Sequence, residues 1–511
     1  MTGAATDTSL LVVTALRSEY AALAGRVPGA RLARCGMGPE NVAGWLDAHA
    51  ADGSDGAPSA VVVAGVAGGL DPALRPGDVV VASEVRGRHG RAVLRGGAPL
   101  VAELRALGLR VHHGPMLTLD RVVGGTDERE QLAATGAVAV DMESADVVHA
   151  FARPGLPVAV VRVVVDTAAV PLMRVATLRN GAKALGVLRR TGPALARWAA
   201  LAGSREVVLA GPRSFCAGVE RAIDIVEMAL QRFPHPVYVR RQIVHNAHVV
   251  RDLETRGAVF VDELDEVPDE TTVVFSAHGV APAVRAEADR RALNVIDATC
   301  PLVAKVHAEA RRFTGRGDTV VLIGHDGHDE TEGTLGEVPG RIQLVESPAD
   351  VAQVQADDPG RVSFLMQTTL AVDDAADTVA ALRQRFPLIE SSATDDICYA
   401  TTNRQQAVRA IAGDTDLVIV LGSPNSSNSL RLVEVARRAG TTAHLADDAT
   451  QIRPEWLEGR PRIGITAGAS APPHLVDEVV GMLQALGPVA VTERVHTVEE
   501  ITFTLPKGVS Q

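Results

Sequence analysis

Residues 318–334 read DTVVLIGHDGHDETEGT. The first seven, DTVVLIG, form an apolar run with little polar alternation, as expected of a strand buried on both faces of a parallel sheet. Gly324, His325, Asp326 and Gly327 then break the run, and a helix-period segment follows. The same grammar recurs at LLVVTAL (10–16), AVVVAGV (60–66), DVVVAS (78–83), VAVVRVVVD (158–166), TTVVFS (271–276), DLVIVLG (416–422) and RIGIT (462–466). Strands alternating with helices predict a layered α/β fold. Ligands of open α/β sheets gather at the carboxyl ends of the strands. SAHGV, GHDGHDETEGT, GSPNSSNS and TAGASAPP all fall at such ends.

The chain's 511 residues exceed one hydrophobic core, so several domains are expected. The helical pattern that closes at RTGPALARWAALAGSRE, before VVLAG begins a new strand, predicts one domain over 1–203 and a second unit over 204–511. That second unit reads as threefold, each third carrying strands, helices and one cysteine. A net charge of −12 argues against non-specific nucleic-acid or anionic-membrane binding, and 3% aromatics argue against base-stacking platforms. Four cysteines without a paired framework, an N-terminus lacking a basic stretch and no apolar run of spanning length predict a cytoplasmic protein with reduced thiols.

Three cysteines occupy the same kind of place. Cys216 lies in GPRSFCAGVERAI, Cys300 in VIDATCPLVAKVH and Cys398 in TDDICYATTNRQQAV. Each is expected to open an amphipathic helix, where the positive helix end favours thiolate. Zinc CxxC patterns are absent. Three thiolates with an open fourth position suit a catalytic metal or an iron–sulfur cluster with one iron left for substrate. A lone buried cysteine is more often inert core; three at equivalent places favour a shared metal. Ser426, Ser427 and Asn428 offer a phosphate cradle at a helix start, although such residues also serve as ordinary caps. His245, His278 and His328 recur in polar loops, and Glu330 places a carboxylate two residues from His328 for general acid chemistry.

FCAGVERAI, VHN, SAHGV, DATCPLV, GHDGHDETEGT, QTTL, DDICYATTNRQ, NSSNS and TAGASAP, in this order, resemble the 4-hydroxy-3-methylbut-2-enyl diphosphate reductases, over about 205–511. The resemblance implies three α/β lobes around a central 4Fe-4S cluster held by Cys216, Cys300 and Cys398. It implies substrate contacts at His245, His278, His328, Thr368, Ser426, Ser427, Asn428 and Ser470. Glu330 would supply the proton, helped by Thr368 and His328, while the open iron takes the substrate hydroxyl. An allylic diphosphate substrate and ferredoxin or flavodoxin as electron donor are implied with it. Ser214 stands where that family commonly has glycine, and VHNAHVV differs slightly after its histidine.

VVVAGVAGGLDPALRPGDVVVAS, VAVDMESADVVHAF and the early glycine loop RCGMGPENVAG resemble the nucleoside phosphorylase and nucleosidase superfamily, over about 8–200. As a dinucleotide fingerprint Gly36 and Gly38 are weak. The resemblance implies a purine nucleoside substrate, with Glu19 activating water, Glu143 gripping ribose hydroxyls and Asp166 protonating the leaving purine. Asp166, ending so apolar a strand, is expected to have a raised pKa. Val66 stands where a polar residue is common, so a polar substrate contact is expected to be missing and an apolar 5′ substituent favoured. Related domains act on adenosylhopane, and this one is similar to them. The expected whole is a bifunctional fusion, with oligomerisation through the N-terminal domain; the alternative keeps the reductase and makes that domain a non-catalytic nucleoside-binding or dimerising module. A non-turning iron–sulfur sensor is disfavoured because the cradle residues are intact.

Overall fold

A computed structural model describes residues 9–51, 57–167, 175–392 and 396–506. Two compact units emerge. One comprises Met1–Val207 with Asp448–Arg462 and Asp477–Val491, the other Val208–Asp447 with Ile463–Val476 and Thr492–Gln511. Among the described residues no helix is long and apolar enough to cross a membrane.

The first unit is built on an eight-stranded sheet. Its order is Ala30–Arg34, Leu10–Thr14, Ala60–Gly69, Ala139–Asp141, Val111–Thr118, Val79–Gly87, Gly90–Val93, and Val158–Asp166 pairs with both Ala60–Gly69 and Val79–Gly87. The valine runs supply its core: Val12, Val62, Val80, Val160 and Val161 have no exposed surface. One irregularity serves the site. Ala67 opposes Val164 and Gly68 opposes Asp166, so Val165 is an extra residue. Neighbours on a regular strand point to opposite faces, whereas a bulge re-aims them. Val165 and Asp166 accordingly line the same cavity.

The second unit holds three sheets of one design. In the first the order is Ala258–Val261, Val237–Arg240, Thr272–Phe275, Asn294–Asp297. In the second it is Ile342–Val345, Thr319–Ile323, Val362–Met366, Glu390–Ser391. In the third it is Thr442–Ala446, Leu417–Leu421, Arg462–Ala467, Arg205–Gly211, with Val489–Val495 beyond. The first three strands of every sheet are parallel. The fourth strand of each leads to a cysteine: Asn294–Asp297 to Cys300, Glu390–Ser391 to Cys398 and Arg205–Gly211 to Cys216. The fourth strand of the third sheet therefore precedes in the chain the three strands it joins, whereas in the other two sheets it follows them. The expected α/β class and three-lobed unit are both observed.

Candidate active site

Each of the three cysteines is the N-cap of a long helix: Cys216 of Ala217–Arg232, Cys300 of Pro301–Gly315 and Cys398 of Tyr399–Ala412. Proline at the first helical position suits the Cys300 helix, since its missing N–H would have lacked a partner there. All three cysteines line one cavity of about 770 Å³, including its mouth. A Cβ built on Gly218 would stand 2.8 Å from Cys300 Sγ and 3.9 Å from Cys216 Sγ, so glycine keeps the space beside these thiols open. The donor set and that space fit an iron–sulfur cluster. The expected thiolate preference is corrected in the metal-free protein. Burial pushes the Cys300 thiol up to about 11 and the Cys398 thiol up to about 12, outweighing hydrogen bonds from the helix starts. The Cys300 and Cys398 sulfurs are neutral thiols until a metal takes their protons.

The histidines from three strand ends meet in the same cavity. His245 and His278 stack with centroids 4.0 Å apart, and His328 stands edge-on to them at 5.3 and 5.9 Å. Burial lowers the proton affinity of all three, and His328, further opposed by His245, falls to about 4. His328 caps helix Asp329–Leu335, its Nδ1 accepting from the Glu330 N–H at 3.2 Å. The neutral ring thus carries its proton on Nε2. Glu330 is buried; its Oε1 accepts from Thr368 N–H at 2.7 Å and its Oε2 from Thr368 Oγ1 at 2.9 Å. Burial outweighs both hydrogen bonds and lifts this carboxyl to about 7. Ser426 caps helix Ser427–Arg438, while Asn428 donates to Thr401 Oγ1, itself 3.1 Å from Cys398 Sγ. Ser470 donates to the His245 carbonyl at 3.0 Å. His245 Nδ1 and Ser427 Oγ are buried without a hydrogen-bond partner. Ser214, the departure from glycine, has a φ of 62°, the left-handed region that glycine occupies without strain.

A second cavity lies within the first unit, lined by Glu19, Val66, Arg129, Glu143 and Asp166, with Met37 and Val122 exposed at its edge. Glu19 Oε2 accepts from the N–H groups of Ala15 and Leu16 at 2.9 and 2.8 Å, and Oε1 from Val66 N–H at 2.7 Å. Val66 thus contributes its backbone where its side chain offers nothing polar. Glu143 accepts from Gly38 N–H at 3.2 Å and pairs with Arg162 at 3.3 Å; burial, opposed by Arg162, lifts its carboxyl to about 7. Gly38 has a φ of 84°, which lets its N–H turn toward Glu143. Asp166 Oδ2 pairs with the buried Arg129, Oδ1 is buried without a partner, and burial raises its carboxyl as expected. A Cβ on Gly65 would meet both Arg162 Nη1 and Glu19 Oε1 within 2.5 Å, so only glycine leaves room there.

The family model described as LytB protein matches residues 207–484. The chain belongs to the LytB family. A second model, the phosphorylase superfamily, matches residues 17–189. A Mycobacterium bovis protein named 4-hydroxy-3-methylbut-2-enyl diphosphate reductase 2 is 58% identical over 311 residues, covering 60% of this chain and 94% of the relative. A reductase of the same name from Azoarcus is 56% identical over 308 residues, covering 60% of this chain and 99% of the relative. The solved E-1-hydroxy-2-methyl-but-2-enyl-4-diphosphate reductase from Plasmodium falciparum is 36% identical, with a TM-score of 0.58 over 60% of this chain and 97% of that one.

Within the LytB part, sequence reasoning missed Asp329 and Arg241. Asp329 Oδ2 lies 3.8 Å from His245 Nε2 and 3.7 Å from His278 Nδ1, and Arg241 pairs with Asp329 and Glu332. The signal for Asp329 was its place between His328 and Glu330. In the phosphorylase-like part it missed Arg129 and Arg162. Arg162, with no exposed surface, sat in plain view inside the apolar run VAVVRVVVD. A charge in such a run requires a buried partner, here Asp141 at 2.7 Å.

Proposed function

We propose that residues 204–511 reduce 4-hydroxy-3-methylbut-2-enyl diphosphate to isopentenyl and dimethylallyl diphosphate in the cytoplasm, and that residues 1–203 form a purine nucleosidase. The observation that supports the first reading is the meeting of three thiols, three imidazoles and the Glu330–Thr368 pair in one cavity. Cys216, Cys300 and Cys398 would hold a 4Fe-4S cluster, which when bound supplies single-electron transfer and Lewis acidity. The net reaction breaks the allylic C–O bond, takes up two electrons and two protons, and releases water. Ferredoxin or flavodoxin is the proposed electron source. His245, His278, His328, Ser426, Ser427, Asn428 and Ser470 would bind and orient the diphosphate. Glu330, still partly protonated near neutral pH, would hold the proton for the departing hydroxyl, with Thr368 fixing both carboxyl oxygens. Anaerobic purification, iron and sulfide counting, and turnover of the hydroxylated allylic diphosphate test this; an iron-free, inactive chain would refute it.

Substrate binding is expected to take up protons. The three imidazoles are neutral in the free cavity because burial disfavours their charge, with Asp329 and Arg241 acting in opposite senses nearby. A diphosphate adds negative charge beside them and raises their proton affinity. Uptake should therefore grow as pH falls from about 8 towards 6, across the ordinary histidine pKa. Calorimetry in buffers of different ionisation heat measures it; a binding heat independent of buffer contradicts it.

For the N-terminal unit, the three acids in one cavity support hydrolysis. Glu19 would activate water, Glu143 bind the ribose hydroxyls and Asp166 protonate the purine. The exposed Met37 and Val122 at the cavity edge favour an apolar 5′ substituent, adenosylhopane being a candidate. The full chain should release adenine from a 5′-substituted adenosine without phosphate, and Glu19→Gln should slow this by about 10²- to 10⁴-fold. Strict phosphate dependence would mark a phosphorylase, and no release at all a binding or dimerising module.

A further inference from the structure

Five or six residues after each clustered cysteine stands a cation: Arg221 after Cys216, Lys305 after Cys300 and Arg404 after Cys398. None of them lines the cavity, yet all three reach the backbone or side chain that leads into the next cysteine. Arg221 Nη1 donates to the carbonyls of Ala298 and Thr299 at 3.3 and 3.2 Å, immediately before Cys300. Lys305 Nζ donates to Asp396 Oδ1 at 3.1 Å, two residues before Cys398. Asp396 is itself fixed, since its Oδ2 accepts from Met366 N–H at 3.1 Å. Arg404 Nη2 donates to the carbonyls of Ser214 and Phe215 at 2.7 and 3.1 Å, immediately before Cys216. The left-handed turn at Ser214 lies at the first of these carbonyls. The three grips run in one sense, from the first helix to the second loop, the second helix to the third loop and the third helix back to the first loop.

The cost of these contacts argues for a purpose. Arg404 has no exposed side-chain surface, and a buried charge is strongly disfavoured unless fully paired. Its pairing is completed by Glu499 at 3.0 Å. An apolar residue would serve packing alone. What an apolar residue cannot do is tie one ligand's helix to the next ligand's entry, which fixes a set of metal ligands drawn from distant parts of a chain. The C-terminal segment adds a clasp: Glu499 holds Arg404, and the Thr504 carbonyl accepts from Arg221 Nε at 2.8 Å.

We infer that Arg221, Lys305 and Arg404 are positioning residues forming a closed ring that sets Cys216, Cys300 and Cys398 at the mutual spacing one cluster requires. The inference rests on the cluster reading above. Lys305 is the place to test it, because its side chain is 29% exposed and its loss need not collapse the fold. The full chain would be compared as wild type, Lys305→Met and Lys305→Arg. In metal-free protein, dibromobimane reports which thiol pairs are close enough to bridge, with the bridged peptides identified by mass spectrometry. In anaerobically loaded protein, iron loss to a chelator reports retention. Lys305→Met is expected to lose the Cys300–Cys398 bridge and to weaken iron binding about 10- to 100-fold, while Lys305→Arg restores both. Arg221→Met, in another lobe, should instead lose the Cys216–Cys300 bridge. If both methionine variants bridge as wild type does and retain iron equally, the ring is wrong and the cluster reading stands. If wild type binds no iron and sulfide while the variants lose their bridges, the ring stands and the cluster reading falls.

Discussion

Cys300→Ser is expected to leave the chain folded while removing its iron and its reductase activity together. The substitution is nearly isosteric, and the cavity already holds a neutral group at this position, since burial pushes the thiol up to about 11. A neutral hydroxyl in place of a neutral thiol should therefore alter stability by no more than about 1 kcal/mol. Metal binding is another matter. It requires a deprotonated soft donor, and serine offers a hard oxygen that gives up its proton far less readily. Two remaining cysteines cannot hold a group that three lobes were needed to enclose. Iron and sulfide content should fall to near background, with the melting temperature of the metal-free form little changed. Cys35→Ser supplies the contrast. Cys35 is buried in the other unit, where its thiol contacts the carbonyls of Thr14 and Gly36, and its loss should leave iron content intact. Full iron and turnover in Cys300→Ser would remove that residue from the ligand set.

Much of this arrangement is legible before any coordinates. Continuous apolar runs mark buried parallel strands, because a strand covered on both faces has no polar side to alternate with. The polar loops at their ends mark the site for the same reason that α/β sheets bind ligands there. The helix-opening place of each cysteine follows from strand–loop–helix grammar alone. Their convergence does not. It depends on Arg205–Gly211 leaving its place in chain order to close the third sheet beside Arg462–Ala467, a pairing across more than half the chain that no local pattern encodes. Electrostatics are legible only in part. A helix start predicts thiolate at Cys300 and Cys398, whereas the depth of burial, invisible in sequence, reverses the sign. The same blindness hides the arginines. Arg129 reads as one charge among the polar residues of TDERE, and nothing near it foretells that it reaches from its helix to Asp166 at the end of a strand.

Glu330→Gln is expected to keep iron content and substrate affinity near wild type while turnover falls about 10²- to 10⁴-fold. The amide fits the site. Its oxygen can accept from the Thr368 N–H, and its NH₂ can donate to Thr368 Oγ1, so both contacts of the carboxyl survive. What it lacks is a proton to give. The pH dependence follows from the direction of the shift. Burial raises this carboxyl to about 7, so the acid form dominates below neutrality and disappears as pH rises through that value. Wild-type turnover should therefore decline on the alkaline side of about pH 7, and Glu330→Gln should show a low rate without that limb. Thr368→Val probes the same balance from the other side. The Thr368 hydroxyl favours the ionised carboxyl, so deleting it should raise the pKa further and move the decline to higher pH. A pH profile unchanged in Glu330→Gln, with turnover preserved, would assign the proton to another group and leave Glu330 as a buried anchor for the Thr368 loop.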